Sequence, residues 1–207
     1  NISPDLRYGF TKELAQIYTK LCEGQMLDIS FEQVPFTDIM EKDVTHMQYL
    51  KTGVLFEFSC VTGARIALNK MEDPIISTIR EYAKLAGTAF QIQDDIIGIL
   101  GESDKIGKPV GSDIRVGKRT LIAVHAVTNA SNEDKISLLK TLGNMEASDS
   151  DIRDCVQLIS NIGSIDYARK LAQGMAAKAI DLTTKLPQNQ QTELLRDFAR
   201  YMIERQV

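Results

Sequence analysis

The stretch "FQIQDDIIGILGESDKIGKPVGSDIRVGKRT", residues 90–120, sets two adjacent aspartates in an apolar segment and follows them with two Gly-Lys pairs. With the 3.6-residue period of a helix, positions i, i+3, i+4 and i+7 share one stripe, which here consists of Gln91, Asp94, Asp95 and Gly98. The opposite side is apolar and comprises Leu85, Ala89, Ile92, Ile96 and Ile99. The pattern predicts an amphipathic helix with one acidic stripe.

Two interpretations of the acidic stripe stay open. An ordinary polar face in contact with water accounts for it as well as a ligand site does. However, Asp94 and Asp95 lie in the last turns of the helix, where the macrodipole disfavours negative charge. A divalent cation would offset this cost, and magnesium is commonly held by one or two carboxylates together with the oxygens of a substrate phosphate. The position of the two aspartates therefore favours magnesium mildly.

The loop after this helix carries the positive charge. It runs from Gly101 to Lys118 and holds Gly-Lys pairs at Lys108 and Lys118. Glycine lets the backbone approach a bound anion closely, although a glycine-flanked lysine is also typical of a solvated turn. A nucleotide-binding loop is excluded, because Gly111 and Gly117 enclose five residues and arginine stands where the hydroxyl residue is required.

The rest of the chain also follows the helical period. Predicted helices cover about residues 11–33, 38–52, 54–68, 73–98, 119–130, 133–142, 149–161, 164–186 and 189–205. Asp38, with Glu41 three residues on, is predicted to cap the second helix, and Gly53 to end it just after Lys51 and Thr52. Lysine near a helix C-terminus is favourable in any helix, so Lys51 alone does not indicate a ligand.

The fold class follows from these predicted helices and from the absence of a strand pattern. The segment 54–68 is apolar nearly all round, apart from Glu57 and Arg65, which predicts a helix at the centre of a bundle. No stretch alternates with period two, so no strand is predicted. The chain is therefore expected to form an all-α, antiparallel helical bundle, with residues 1–207 as a single domain.

Composition excludes several classes. The net charge of −4 argues against nucleic-acid binding, which needs a basic surface. No apolar run approaches the roughly 20 residues that span a bilayer, and the polar start is not a signal peptide, so no stable membrane insertion is expected. The three cysteines lack metal-ligand or CxxC spacing, which indicates reduced thiols in a cytoplasmic protein.

Four motifs occur in a familiar order: "GQMLDI" at 24–29, "YLKTG" at 49–53, "FQIQDD" at 90–95 and "GKPVGSDIRVGKRT" at 107–120. Together they resemble the trans-prenyltransferases, the all-helical isoprenyl diphosphate synthases, and among these the geranylgeranyl diphosphate synthases most nearly. The resemblance runs from about Lys12 to the C-terminus. It implies a bundle of the isoprenyl synthase type.

The resemblance also implies roles for single residues. The diphosphate of an allylic substrate would be held by Lys51, Thr52, Gln91, Lys108 and Lys118. Asp94, with Asp95, would bind Mg²⁺, and the catalytic set would be Lys51, Asp94, Lys108 and Lys118. Gln25 and Asp28 would line the same cavity, with Asp113 on its rim.

Two departures from the family pattern stand out. The second aspartate-rich motif of the family ends in a third aspartate, where this chain has Gly98. The first aspartate-rich motif, with the arginines that grip isopentenyl diphosphate, belongs before the region matching residues 12–33, and no DDxxD occurs in this sequence. The chain therefore looks like the C-terminal two-thirds of such an enzyme, with the N-terminal helices missing.

The activity implied is head-to-tail condensation of an allylic diphosphate with isopentenyl diphosphate through a magnesium-assisted carbocation, by a homodimer. Geranylgeranyl diphosphate is the expected product. A synthase of another chain length and a non-catalytic helical subunit of a heteromeric synthase remain alternatives. A terpene cyclase would replace the second motif by an Asn/Ser/Glu pattern, which "QDDIIG" is not. His46 is expected at the surface and His125 in helix packing, since neither has a catalytic partner in these motifs.

Overall fold

The computed structural model describes residues 2–100 and 111–204, and this part of the chain is helical without strands. Its α-helices are α1 (Pro4–Phe31), α2 (Glu41–Gln48), α3 (Val54–Leu68), α4 (Pro74–Leu100), α5 (Ser112–Val116), α6 (Leu121–Asn129), α7 (Asn132–Thr141), α8 (Asp149–Asn161), α9 (Ser164–Leu182) and α10 (Gln190–Glu204). Short 3₁₀ turns lie at Phe36–Asp38 and Thr183–Lys185. The predicted all-helical class is confirmed.

Helix α4 lies at the centre of the fold. It packs chiefly against α9 and α3, and also contacts α2, α6 and α10. Its side chains Ile76, Tyr82, Ala83, Ala89 and Ile92 are fully buried, as the apolar side of its period predicts. Asp73 starts the helix, because its carboxylate accepts a hydrogen bond of 3.1 Å from the backbone N–H of Ile75. The acidic stripe is thus carried by a helix that packs against several others.

The predicted boundary between the second and third helices is wrong. Gly53 does not end a helix, because the chain continues from α2 through a π-helix, Tyr49–Gly53, directly into α3. Gly53 has ordinary helical angles, and a side chain there would lie 2.8 Å from the ring of Tyr49. The glycine therefore serves close packing within a wide turn. π-Helical turns inside longer helices are often found at functional sites.

The predicted cap at Asp38 is also wrong. Asp38 ends a 3₁₀ turn, and α2 begins three residues later, at Glu41, with Met40 at its N-cap. The carboxylate of Asp43 accepts a hydrogen bond of 3.0 Å from the backbone N–H of Met40, which satisfies one of the donors that a helix start leaves unpaired.

Helix α3 is less enclosed than its apolar composition predicts. Its buried side includes the two charged residues, Glu57 and Arg65, whereas Leu55 and Ile66 are more than two-fifths exposed. Glu57 is satisfied by Tyr49, whose hydroxyl donates a hydrogen bond of 2.8 Å, and Arg65 pairs with acidic neighbours. The side of α3 that faces the core therefore combines apolar residues with internal ion pairs. Across the described ranges, no helix has the length and apolar character needed to cross a bilayer.

Candidate active site

Asp95 is the centre of the candidate site. Its side chain is only 2% exposed, and each carboxylate oxygen accepts one hydrogen bond. Gln48 Nε2 of α2 donates to Oδ2 over 2.7 Å, and Lys118 Nζ donates to Oδ1 over 3.0 Å. Burial raises the pKa of Asp95 to about 6 against the opposing effect of Lys118. This carboxylate therefore ties α2, α4 and the segment after α5 together.

Lys118 has a second acidic partner. Its ammonium lies 3.4 Å from Asp113 Oδ2, and its backbone N–H donates to the backbone carbonyl of Asp113 over 2.9 Å. Burial lowers the pKa of Lys118, but the charges of Asp95 and Asp113 outweigh it and raise that pKa above its ordinary value. The lysine therefore stays charged, with about a third of its side chain exposed.

Lys51 lies in the π-helix and is paired with α1. Its ammonium lies 2.6 Å from Asp28 Oδ2, and both side chains are partly exposed. One turn before Asp28, Gly24 packs on the backbone of the π-helix: a side chain there would lie 2.7 Å from the carbonyl carbon of Leu50. Helix α1 thus contacts Lys51 in two ways: Asp28 pairs with its ammonium, and Gly24 packs on its backbone.

The other residues of the predicted site fall into three groups. Asp94 and Gln25 are exposed. Thr52 and Gln91 are half-buried, Thr52 in the π-helix and Gln91 one turn before Asp95 on α4. Lys108 lies outside the described residues, so its role stays a prediction.

Gln48 was missed by the sequence analysis. It is 6% exposed, and its Oε1 has no hydrogen-bond partner among the described residues. A signal was available, because Val44, Met47 and Gln48 form the buried side of α2, and a glutamine on an apolar side needs a polar partner. Lys51 comes three residues after Gln48, a spacing that places the two residues on the same side of a helix.

The residues present fit a magnesium ion in part. The described chain contains no group of three or more His, Cys, Asp or Glu arranged to hold a metal. Asp94 nevertheless offers an exposed carboxylate, and magnesium needs only one or two carboxylates when substrate oxygens complete its shell. In Asp95, Oδ2 accepts a hydrogen bond from Gln48 and Oδ1 accepts one from Lys118. The buried Gln48 Oε1 adds an oxygen acceptor beside it.

The two histidines lie in the environments that the sequence predicts. His46 is exposed. His125 Nδ1 lies 2.9 Å from Ser164 Oγ, and its ring stacks on Tyr167 with 4.1 Å between centroids. Ser164 is fully buried, so this contact joins α6 to α9 within the core, consistent with a role in helix packing.

Comparison with known proteins identifies the family of this chain. The family model for polyprenyl synthetase matches residues 5–159. The chain therefore belongs to the polyprenyl synthetase family, which comprises trans-prenyltransferases.

Curated relatives of different product length are similar to this chain. The geranylgeranyl diphosphate synthase of Saccharolobus solfataricus is 35% identical over 187 residues, covering 89% of this chain and 55% of the relative. The geranylfarnesyl diphosphate synthase of Natronomonas pharaonis is 34% identical over 193 residues, covering 93% and 54%. The chain thus spans about half the length of the curated relatives it matches.

Solved structures share the fold. Geranylgeranyl pyrophosphate synthetase from Pyrococcus horikoshii superposes with a TM-score of 0.88 at 34% identity, covering 100% of this chain and 61% of that one. Geranylgeranyl pyrophosphate synthase from Corynebacterium glutamicum, solved with isoprenyl diphosphate and magnesium, has a TM-score of 0.85 at 22% identity, covering 99% and 57%. The predicted bundle of the isoprenyl synthase type is confirmed.

Proposed function

We propose that this chain supplies the diphosphate-binding side of a trans-prenyltransferase active site. The observation that carries the proposal is the buried Asp95 of α4, whose carboxylate accepts hydrogen bonds from both Lys118 and Gln48. Gln48 lies one helical turn before Lys51. A carboxylate buried at this cost and bound to a charged lysine is typical of functional sites. Family membership makes a prenyl diphosphate the substrate class.

The lysines would bind and orient the leaving group. Lys51 and Lys118 are partly exposed ammonium groups, each with a carboxylate partner that a diphosphate can replace or share. Their charge meets the negative charge that develops on the diphosphate oxygens as the allylic carbon–oxygen bond breaks. Lys108, Thr52 and Gln91 would add further donors to the same group.

Magnesium, when bound, would neutralise the same oxygens, and Asp94 is the residue that we assign to it. Asp95 would serve mainly to fix Lys118, because its oxygens are occupied. Gln25, Asp28 and Asp113 would lie around the same cavity. The apolar helices would exclude water from the carbocation.

The complete reaction would join an allylic diphosphate head-to-tail to isopentenyl diphosphate. Geranylgeranyl diphosphate is our proposed product, although the relatives include geranylgeranyl and geranylfarnesyl diphosphate synthases. We further propose a homodimer in the cytoplasm. In support of assembly, α1 exposes several large apolar side chains, including Tyr18 and Met26, which are about 70% exposed.

The test is binding of a bisphosphonate, which mimics the diphosphate, to the wild type and to Asp94→Ala. In magnesium, Asp94→Ala should bind more weakly than the wild type, whereas in chelator the two should bind alike. Asp154→Ala is the matched control, since Asp154 is exposed in the middle of α8. Equal affinity of wild type and Asp94→Ala in magnesium would remove the metal role of Asp94.

A further inference from the structure

The acidic stripe of α4 has a gap at Gly98, and a carboxylate from another helix fills it. A Cβ atom built on Gly98 would lie 2.7 Å from Oδ2 of Asp113 and 3.4 Å from its Cγ. Real Cβ atoms do not approach oxygen so closely, so Asp113 occupies the space that a side chain at position 98 would need. The same Oδ2 lies 3.4 Å from Lys118 Nζ.

The segment that carries both Asp113 and Lys118 is held by its backbone. Gly111 and Gly117 flank α5, each with a positive φ of 71°, which glycine adopts without strain. Gly117 also packs on Gly143, since a Cβ on it would lie 2.7 Å from the Gly143 Cα. Together with the backbone hydrogen bond from Lys118 to Asp113, these contacts fix the two residues relative to each other.

Two carboxylates on one ammonium have a clear physical effect. Lysine is a flexible chain ending in a point charge, so a single partner leaves it several rotamers. Asp95 holds Lys118 from the buried side, and Asp113, with 21% of its side chain exposed, holds it from the rim. The ammonium is thereby directed between α4 and α5. A side chain on Gly98 would push Asp113 away and undo this.

We propose that Gly98 and Asp113 act as a fitted pair, in which the missing side chain of Gly98 admits the Asp113 carboxylate and that carboxylate positions Lys118. Asp113 is thus a positioning residue, and Gly98 determines that this carboxylate comes from α5 and not from α4. The significance of the pair for substrate binding rests on the proposed function. The effect of the pair on Lys118 can be measured without any ligand.

The experiment measures the acylation of Lys118 by trace acetic anhydride, in ligand-free and magnesium-free buffer, relative to the exposed Lys178. Removing a carboxylate partner lowers the proton affinity of the ammonium, so Asp113→Asn should acylate Lys118 about 3- to 10-fold faster than the wild type. Gly98→Ala should act in the same direction, because its methyl group displaces Asp113. Asp73→Asn is the control. It should change only the acylation rate of Lys70, whose ammonium lies 2.9 Å from the Asp73 carboxylate.

Rescue separates positioning from general loosening. The double variant Gly98→Asp/Asp113→Ala moves the carboxylate to α4 and should return the labelling of Lys118 toward the wild-type rate, whereas Asp113→Ala alone should stay fast. Asp113→Asn keeps the size of the side chain, so it remains informative if Gly98→Ala does not fold. Wild-type rates in Asp113→Asn, or a double variant as fast as Asp113→Ala, would overturn the proposal.

A separate arm tests the proposed function. Inorganic diphosphate with magnesium should slow the labelling of Lys118 in the wild type. Absence of protection would count against the proposed function alone, because the variant series is measured without ligand.

Discussion

Gly24 of α1 lies directly against the backbone of Lys51. A Cβ atom on Gly24 would lie 2.8 Å from the Lys51 Cα and 2.7 Å from the carbonyl carbon of Leu50. Backbone cannot move aside as the end of a side chain can, so α1 and the π-helix must separate to admit any side chain here. The position of Lys51 therefore depends on a glycine 27 residues earlier in the chain.

Gly24→Ala should weaken both the fold and diphosphate binding. Overpacking of this kind typically costs about 1–3 kcal/mol of unfolding free energy, and the shift of the π-helix moves Lys51 away from Asp28. Urea unfolding and calorimetric titration with diphosphate measure the two effects. The matched control is Gly63→Ala in α3, where an added Cβ would meet nothing within 4 Å beyond the backbone of its own helix, and it should stabilise by about 0.5–1 kcal/mol. A Gly24→Ala protein as stable as the control would contradict the packing argument.

The pKa of Asp95 gives a pH dependence of stability. Burial raises the folded pKa to about 6 from the ordinary 3.8 of the unfolded chain. Between these values the folded state binds more protons, so the free energy of unfolding should fall as pH rises from about 4 to about 6, by at most about 3 kcal/mol. Denaturant unfolding in chelator, compared with Asp95→Asn, isolates this contribution. If the difference between wild type and Asp95→Asn were constant over this range, the burial argument would fail.

Gln48→Met should move that transition to higher pH. Gln48 donates to Asp95 over 2.7 Å, and a donor favours the charged form of a carboxyl, so its loss raises the pKa further. The midpoint of the pH-dependent difference is the quantity to compare. Gln157→Met is the control, since Gln157 is exposed on α8, and it should leave the midpoint unchanged. An unchanged midpoint in Gln48→Met would show that this hydrogen bond does not set the charge of Asp95.

Residues 1–207 alone should bind diphosphate without elongating a prenyl chain. The chain spans 55% of the Saccharolobus relative, and it carries no DDxxD motif to hold magnesium from the facing side. Loss of one such electrostatic contact typically costs about 100- to 1000-fold in rate. The assay is incubation with labelled isopentenyl diphosphate, an allylic diphosphate and magnesium, then organic extraction. Elongated product from a chain confirmed by mass to start at Asn1 would contradict this expectation.

Periodicity predicted α4 and its acidic stripe because both depend on local spacing. The alternation of apolar and polar positions places Asp94 and Asp95 together whatever packs around them. The periodicity did not predict that the two side chains differ in burial: Asp94 is exposed and Asp95 is buried. The polar partners of the buried Asp95, Gln48 and Lys118, come from other parts of the chain, so local spacing does not reveal them.

The break predicted at Gly53 failed for a related reason. Glycine signals a helix end only when its conformational freedom is used, and here it gives room to the ring of Tyr49 within a continuous helix. The fitted contact between Gly98 and Asp113 was equally out of reach, since no local pattern links the two positions. The Gly98 contact is tertiary, whereas the Gly53 contact joins two residues four apart in one helix and depends on which way the Tyr49 ring turns.

The central claim is that Lys51 and Lys118 form the diphosphate site, and calorimetric titration of inorganic diphosphate in magnesium tests it most directly. Lys51→Gln and Lys118→Gln should each weaken binding about 10-fold or more, because a charge-assisted hydrogen bond contributes about 1.5–3 kcal/mol. Lys70→Gln, at an exposed lysine paired with Asp73, should bind like the wild type. Equal affinity of all four proteins, or no binding by the wild type, would contradict the account.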